Sequence, residues 1–398
     1  MTRRIALLCN HAPAVAGFRG PLIRDMVKRD AVVYAFAPNY TDRTKKQVVE
    51  LGAVPVDFQM NRTGANLVQE MLAVVRLERL LRGLRIDVCL GFMTKLVVYG
   101  SIAAFFAGVR NRYSMIEGLG YFFTKDDRKV DLRKTLIRSA ITLLYRLCLP
   151  LNRTLFFLNP DDPADLAAEG ALGRTSVLVL DGGIGIDIRE YTSASLDGES
   201  VTFLLVARLL REKGVREYVS AAERLKQAYP QVRFVLVGSE DTNPGGIGET
   251  EARDWVERGT LDWPGAVPDA KPWYRSANVY VLPSYREGMP RTVLEAMALG
   301  RPVITSDAPG CREAVQRLDS NETIDLRSGR FPATGRVIHG RNGFLVPVRD
   351  VEALAEAMEY FVVNPELIPR MGAESRRLAE ERFDVRKVNA RILQEIGL

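Results

Sequence analysis

The sequence predicts an α/β protein made of two Rossmann-like, doubly wound parallel-sheet domains in tandem, facing each other across a cleft. Three observations carry that expectation. Short apolar, β-branched runs alternate with helical patterns along nearly the whole chain, as parallel strands joined by helical crossovers do. The alternation breaks at the glycine-rich stretch Asp181 to Asp187 and the polar residues that follow to Ser200, which read as a hinge. The 398 residues are enough for two separate cores. The expected division is 1–190, 191–375, and a helical terminus, 376–398, that packs back toward the first domain.

Each element can be justified in order. Arg4 to Cys9 is a first strand; it turns between Asn10 and Gly20 into a helix with Leu22, Ile23, Met26 and Val27 on one side. Ala31 to Phe36 and Val54 to Phe58 are the next strands. Gln69 to Leu84 is a basic helix, Asp87 to Gly91 a fourth strand, and an apolar helix near Leu96 follows. Arg112 to Ile116 is a fifth strand, Thr154 to Asn159 reads as the first domain's last strand, and Val177 to Leu180 follows. The second alternation starts at Val201 to Val206. It continues through a helix near Val215 to Ala228, the strand Arg233 to Gly238, the strand Asn278 to Leu282, and helices toward the C-terminus. Asp319 to Gly340 is polar and reads as a surface excursion.

Composition excludes several classes. Cys9, Cys89, Cys148 and Cys311 are scattered, with no Cys-x-x-Cys, and His11 and His339 are the two histidines. A reduced compartment fits and a zinc site does not. The N-terminus has no signal-peptide pattern. No stretch reaches the roughly 18–20 uncharged apolar residues of a membrane-spanning helix. Net charge is +6, but its distribution is more informative: through Glu190 there are 27 Lys+Arg against 19 Asp+Glu. A basic first half points to nucleic acid or to an anionic membrane. No stripe interleaves basic and aromatic residues, so nucleic acid is not expected. Lys129 to Arg153 alternates six cations with leucines and isoleucines. It reads as a helix lying in a membrane interface or as a core helix with a basic outer face.

The richest stretch is Pro283 to Ile304. Gly288 and Pro290 punctuate a loop after a buried strand, Pro290 suits the first helical position, and Gly300 with Pro302 ends the helix. The helix N-terminus, aimed past the strand's carboxyl end, is an anion and hydroxyl site. Glu287 stands at its mouth and Glu295 about a turn inside. Arg208 and Lys213 follow another strand of the same sheet and can converge on a diphosphate, one as a fork, one as a point charge. Two cations, a helix N-terminus and two carboxylates at one sheet edge suit a nucleotide-sugar.

These residues carry a family resemblance. Glu287-Gly288-Met289-Pro290 with Leu294-Glu295-Ala296-Met297-Ala298-Leu299-Gly300-Arg301-Pro302-Val303-Ile304 resembles the Glu-x7-Glu signature of the retaining glycosyltransferases of family 4, which have the GT-B fold. Arg208 and Lys213 match that family's diphosphate contacts. Gly310-Cys311-Arg312-Glu313 and Asn342-Gly343-Phe344-Leu345-Val346-Pro347 resemble later motifs. The resemblance implies donor contacts at Gly288, Met289, Pro290, Thr292, Glu295, Gly238 and Val267, and catalytic roles for Glu287, Arg208, Lys213 and Glu117. Ile116 to Phe122, Val237 to Pro244 and Leu282 to Gly288 are similar to a narrower group. Its members add N-acetylgalactosamine to undecaprenyl-diphosphate-linked diacetylbacillosamine, or build capsule, O-antigen and exopolysaccharide units on the same lipid.

That narrower likeness implies a UDP-sugar donor, with an N-acetylhexosamine to transfer, and a polyprenyl-diphosphate-linked acceptor. It also implies an enzyme peripherally associated with the cytoplasmic face of an anionic cell membrane. No cofactor or metal is expected. Arg19 and His11 are candidates for the acceptor side, although His11 also suits a turn cap. The chain departs from the family where many members place a histidine in the fifth-strand loop, because Glu117 stands there. It fits binding of donor or acceptor hydroxyls, acid/base work, or a structural role in the turn Glu117-Gly118-Leu119-Gly120. Two functions compete: a nucleotide-sugar epimerase without an acceptor, which shares the two-domain fold, and a non-catalytic partner subunit.

Overall fold

The computed structural model describes residues 2–60, 67–124, 132–192, 200–241, 243 and 245–398. Lys129, which opens the basic amphipathic segment, residues 193–199 of the polar hinge, and Thr242 and Pro244 lie outside the described residues. The chain forms two compact units, Met1–Ile184 with Val385–Leu398, and Gly185–Asp384.

In the first unit, elements follow the order β1 (Arg4–Leu8), α1 (Ala12–Val27), β2 (Val32–Ala37), α2 (Asp42–Glu50), β3 (Val54–Asp57), α3 (Leu67–Gly83) and β4 (Val88–Phe92). Then come α4 (Met93–Phe106), β5 (Asn111–Ile116), α5 (Leu132–Cys148), β6 (Thr154–Phe157), α6 (Asp161–Ala168) and β7 (Ser176–Val179). The seven strands form a sheet in the order β3-β2-β1-β4-β5-β6-β7, every pair parallel; β6 is therefore not the last strand of this unit, because Ser176–Val179 pairs with it as β7. β4, VCLGF, is buried along its whole length, as a strand with helices on both faces must be. α1 packs beside α2, and α4 packs between α3 and α5.

The second unit contains β8 (Thr202–Val206), α7 (Val215–Ala228), β9 (Arg233–Val237), α8 (Glu249–Glu257), β10 (Asp262–Gly265), α9 (Lys271–Ser276) and β11 (Val279–Leu282). It continues with α10 (Arg291–Ala298), β12 (Val303–Ser306), β13 (Ile338–His339), β14 (Gly343–Val346), α11 (Val351–Val363) and α12 (Leu367–Arg382). Strand order is β10-β9-β8-β11-β12-β14-β13. All pairs are parallel except β13 against β14. The last helix, α13 (Val385–Glu395), belongs to the first unit. It packs on α1, where Asn389 donates to Asp25 at 2.8 Å and Thr154 to Glu395 at 2.7 Å.

Three local findings refine the sequence expectations. Pro290 is the N-cap of α10 and Arg291 its first residue, one position later than predicted, because Pro290 keeps an extended ψ of 109°. The segment after Gly310, whose sequence predicts a loop and then a helix, makes only a single 3-10 turn, Arg312–Ala314. The polar stretch from Asp319 to Gly340 is strapped along α11. Asn364, Glu359 and Glu356 accept backbone N–H groups of Arg327 (2.7 Å), Arg330 (2.5 Å) and Thr334 (2.7 Å) in turn. Glu356 and Glu359 are buried by this strap, which the polar composition of the stretch did not announce.

Candidate active site

In the second sheet the strand order reverses between β8 and β11, the position where open α/β sheets bind ligands beyond their carboxyl ends. Two loops meet there. The loop after β8 passes through Arg208 and a 3-10 turn, Arg211–Lys213, to Gly214, whose φ is +70°. A Cβ on Gly214 would lie 2.1 Å from the Pro283 carbonyl oxygen, so this position keeps the two loops in contact only as glycine. Across that contact the Lys213 ammonium donates to the Glu287 carboxylate. The hydroxyl of Ser284, fully buried, lies 2.6 Å from Glu287 Oε1 and 2.9 Å from the Glu212 carbonyl.

The backbone of Glu287 is fixed as well. Its N–H donates to the Pro309 carbonyl at 2.9 Å. Gly310, at φ +77°, brings the loop after β12 so close that a Cβ would meet the Glu287 carbonyl oxygen at 2.2 Å. Sequence reasoning missed Ser284 as a partner of Glu287; the available signal was its place in Pro283-Ser284, directly after a buried strand.

Arg208 is half exposed and its guanidinium pairs with Asp241, in the loop after β9. Asp241 also accepts the Asn243 N–H at 2.8 Å. Gly238 ends β9, donating to Gly265 at 2.9 Å and accepting the Trp263 indole N–H at 2.9 Å. Val267 follows β10 and is half-buried. Asp241 is a partner that sequence reasoning missed, since a lone Asp in a polar loop carries no spacing signal.

α10 begins after buried Gly288, Met289 and Pro290, and no side chain caps it. Its first-turn N–H groups are therefore left to other partners. Thr292 and Glu295 are half-buried on this helix, and Arg291 reaches Glu295 at 3.0 Å. Tyr191 and Tyr274 face Glu295; burial first, and then its carboxylate among other neighbours, push both phenols above their ordinary value. Tyr280 is raised the same way, against a Thr292 hydrogen bond that lowers it. Glu295 thus stands among neutral phenols. Asn342 and Gly343 hold the fold locally: Asn342 donates to the Ala314 carbonyl at 2.9 Å and accepts the Gln316 N–H at 2.9 Å.

The first unit brings together two candidates from distant positions. Arg19, on α1, is 3% exposed. Its guanidinium lies 4.0 Å above the Phe92 ring and donates to the Glu117 carboxylate, just beyond β5. Cys9 sits behind this pair, its thiol pushed up to about 12 by burial. Gly118 and Gly120 both have positive φ, so the turn is built by the glycines, and the Glu117 side chain is engaged by Arg19. Glu117 lines a cavity of about 130 Å³ with the first turn of α4. His11 is the N-cap residue of α1, but its side chain makes no cap hydrogen bond.

The described part of the basic amphipathic segment, α5, turns its leucines outward. Leu132, Leu136, Leu143 and Leu147 are 75%, 71%, 56% and 64% exposed. Several of its cations turn back onto the protein: Lys134 donates to the Thr124 carbonyl at 2.6 Å, Arg146 to the Glu169 carbonyl at 2.7 Å, and Arg138 pairs with the Glu169 carboxylate. Among the described residues no helix is long and apolar enough to cross a membrane, and no group of three His, Cys, Asp or Glu could hold a metal ion.

Comparison with known proteins adds to this geometry. Residues 200–326 match the family of group 1 glycosyl transferases. The chain is 27% identical over 325 residues to the N,N'-diacetylbacillosaminyl-diphospho-undecaprenol alpha-1,3-N-acetylgalactosaminyltransferase of Campylobacter jejuni, covering 78% of this chain and 82% of that protein. It is 26% identical to the capsular polysaccharide biosynthesis glycosyltransferase CapM of Staphylococcus aureus, over 45% of this chain and 41% of that one. Among solved structures, HepE from Anabaena in complex with UDP superimposes with a TM-score of 0.72 at 17% identity, over 100% of both chains. A glycosyltransferase from Rickettsia africae gives 0.74 at 12% identity, over 99% and 98%. These two likenesses bear on the fold alone.

Proposed function

We propose, from the premise that residues 200–326 carry a group 1 glycosyl transferase domain, that this chain moves a sugar from a UDP-linked donor to a saccharide on a polyprenyl diphosphate. The transferred sugar is an N-acetylhexosamine and its anomeric configuration is retained. The observation that carries the proposal is the Lys213–Glu287–Ser284 cluster at the switch point of the second sheet, with Arg208 on the adjoining loop. HepE likewise binds UDP in its solved complex, and a lipid-diphosphate acceptor is that of the C. jejuni relative.

In this reading the donor exchanges partners with the resting site. Its diphosphate takes Lys213 from Glu287 and Arg208 from Asp241. Glu287, released but still oriented by Ser284, then accepts hydrogen bonds from sugar hydroxyls, and Glu295 those of the ribose. Departure of the nucleoside diphosphate builds negative charge at the leaving oxygen. Lys213, Arg208 and the uncapped amides of α10 are arranged before the reaction to stabilise that charge, which is the larger part of such catalysis. The acceptor hydroxyl attacks from the leaving-group side, and no metal takes part.

The acceptor's lipid would be met by the first unit. It holds 29 Lys+Arg against 18 Asp+Glu, net +11, while the second unit holds 26 against 31, net −5. Of the 18 large hydrophobic residues exposed among the described ones, 17 are on the first unit. Positive charge with outward leucines favours an anionic membrane surface. The test of the function is product analysis by mass spectrometry, using a panel of UDP-sugars with and without polyprenyl-diphosphate saccharides. Gain of one sugar on the lipid supports transfer. Conversion of the free UDP-sugar without acceptor would instead support the epimerase reading.

A further inference from the structure

The cavity beside Glu117 has the chemistry of a small, specific receptor. Met93, Thr94 and Val97 come from the first turn of α4, Ile116 and Glu117 from the end of β5, and Tyr145 from α5. Its volume of about 130 Å³ is of the size that accommodates a handful of heavy atoms, since an engineered cavity of about 150 Å³ takes benzene. The walls are divided. Met93, Val97 and Ile116 are apolar. Thr94 and Tyr145 carry hydroxyls that bond to each other, and burial keeps the Tyr145 phenol neutral by pushing it up to about 12. Met93 holds a left-handed φ of +63°, a conformation that a non-glycine residue keeps only when its surroundings enforce it. Phe92, the N-cap of α4, supplies no capping side chain, so no cap from that position competes for the first-turn N–H groups.

The charged group in this cavity is held from behind. Glu117 is an acceptor only when ionised, so its occupant must bring a donor. Arg19 supplies the counter-charge from a buried position over Phe92, and among the described residues its buried Nε has no hydrogen-bond partner. The chain thus tolerates an unsatisfied donor to keep a cation under this carboxylate. A cationic occupant would face Arg19 and the positive end of α4; an anionic one would face Glu117. A neutral group with one donor, one acceptor and an apolar end meets all three surfaces.

We propose that this pocket binds the acetamido group of an N-acetylated sugar. The amide N–H donates to Glu117, the carbonyl accepts from the Thr94–Tyr145 hydroxyls or a first-turn N–H of α4, and the methyl rests on Met93, Val97 and Ile116. Arg19 is a positioning residue that fixes Glu117. The proposal rests on the glycosyltransferase reading above and assigns the residues that recognise the acetamido group; that group can belong to donor or acceptor.

Saturation-transfer NMR on the full-length protein tests this with methyl N-acetyl-α-glucosaminide and methyl N-acetyl-α-galactosaminide against the matching methyl hexosides, with UDP run in parallel. The acetyl methyl is expected to receive the strongest saturation, and the hexosides little. Val97→Phe, which fills the cavity, and Glu117→Gln, which keeps its shape, should each weaken binding about tenfold or more. Arg19→Lys should retain most of it and Arg19→Met should not, which separates positioning from mere packing. Displacement by UDP-N-acetylglucosamine but not UDP-glucose assigns the donor as source; joint binding assigns the acceptor. No saturation of any acetyl methyl, or equal saturation in wild type and both pocket variants, overturns the proposal. If UDP binds in that case, the donor reading survives it; if UDP also fails to bind, the donor reading falls as well.

Discussion

Lys213 and Arg208 each hold a carboxylate where the proposed reaction needs them to hold a diphosphate. Lys213→Ala should therefore lower kcat by about 10²–10³, the usual loss for one preorganised electrostatic contact, measured with saturating UDP-sugar. Asp241→Asn should act in the opposite direction on binding, lowering the donor KM because Arg208 no longer has to leave a partner. Ser284→Ala should cost about tenfold in kcat through Glu287, the worth of one oriented hydrogen bond. The cysteines offer a pH test. Burial raises the Cys9 and Cys89 thiols from 9.0 to about 12. Between those values the unfolded thiols ionise and the folded ones do not, so stability present below pH 9 declines as pH rises toward 12. Denaturant titration at stepped alkaline pH should show that decline, weakened in Cys9→Ala.

At the scale of elements, the loops after β8, β11 and β12 are pressed together by glycines. Gly310→Ala should reduce turnover more than stability would require, because its new Cβ displaces the Glu287 carbonyl; comparing kcat with Tm checks it. The strap along α11 makes a separate prediction. Glu359→Ala leaves the N–H groups of Arg330 and Phe331 without their carboxylate, at about 1–3 kcal/mol for buried groups so orphaned, and hydrogen exchange should rise over 327–334. For α5, Leu136→Asp with Leu143→Asp should weaken binding to anionic vesicles more than neutralising Lys134 or Arg138, whose charges are engaged within the protein. Much of this layer was legible in the sequence: strand and helix identities follow from apolar runs and breaks, and Glu287 and Glu295 from their spacing around Pro290. Less legible were Ser284, Asp241 and the Arg19–Glu117 pair. Ser284 is only three residues from Glu287, but a lone serine carries no spacing signal; the partners of Asp241 and of Arg19 are distant along the chain, and only the sheet order brings each of those pairs together. The outward leucines of α5 were hidden for a related reason: periodicity gives an amphipathic face without saying which face the protein covers.

At the scale of the molecule, the two units divide the charge unequally, +11 and −5. An anionic surface approached by the first unit would make vesicle binding fall with salt, while nucleotide binding, set by a few close contacts in the second unit, should change less. The central claim is that the cations and carboxylates at the β8–β11 switch point carry glycosyl transfer to a lipid-linked saccharide. The most direct measurement follows the product of a UDP-N-acetylhexosamine and a polyprenyl-diphosphate saccharide by mass spectrometry, with NMR of the new linkage. The account predicts one added sugar with retained anomeric configuration in the wild type, reduced about a hundredfold or more in Lys213→Ala. An inverted linkage, or unchanged turnover in Lys213→Ala, would contradict it.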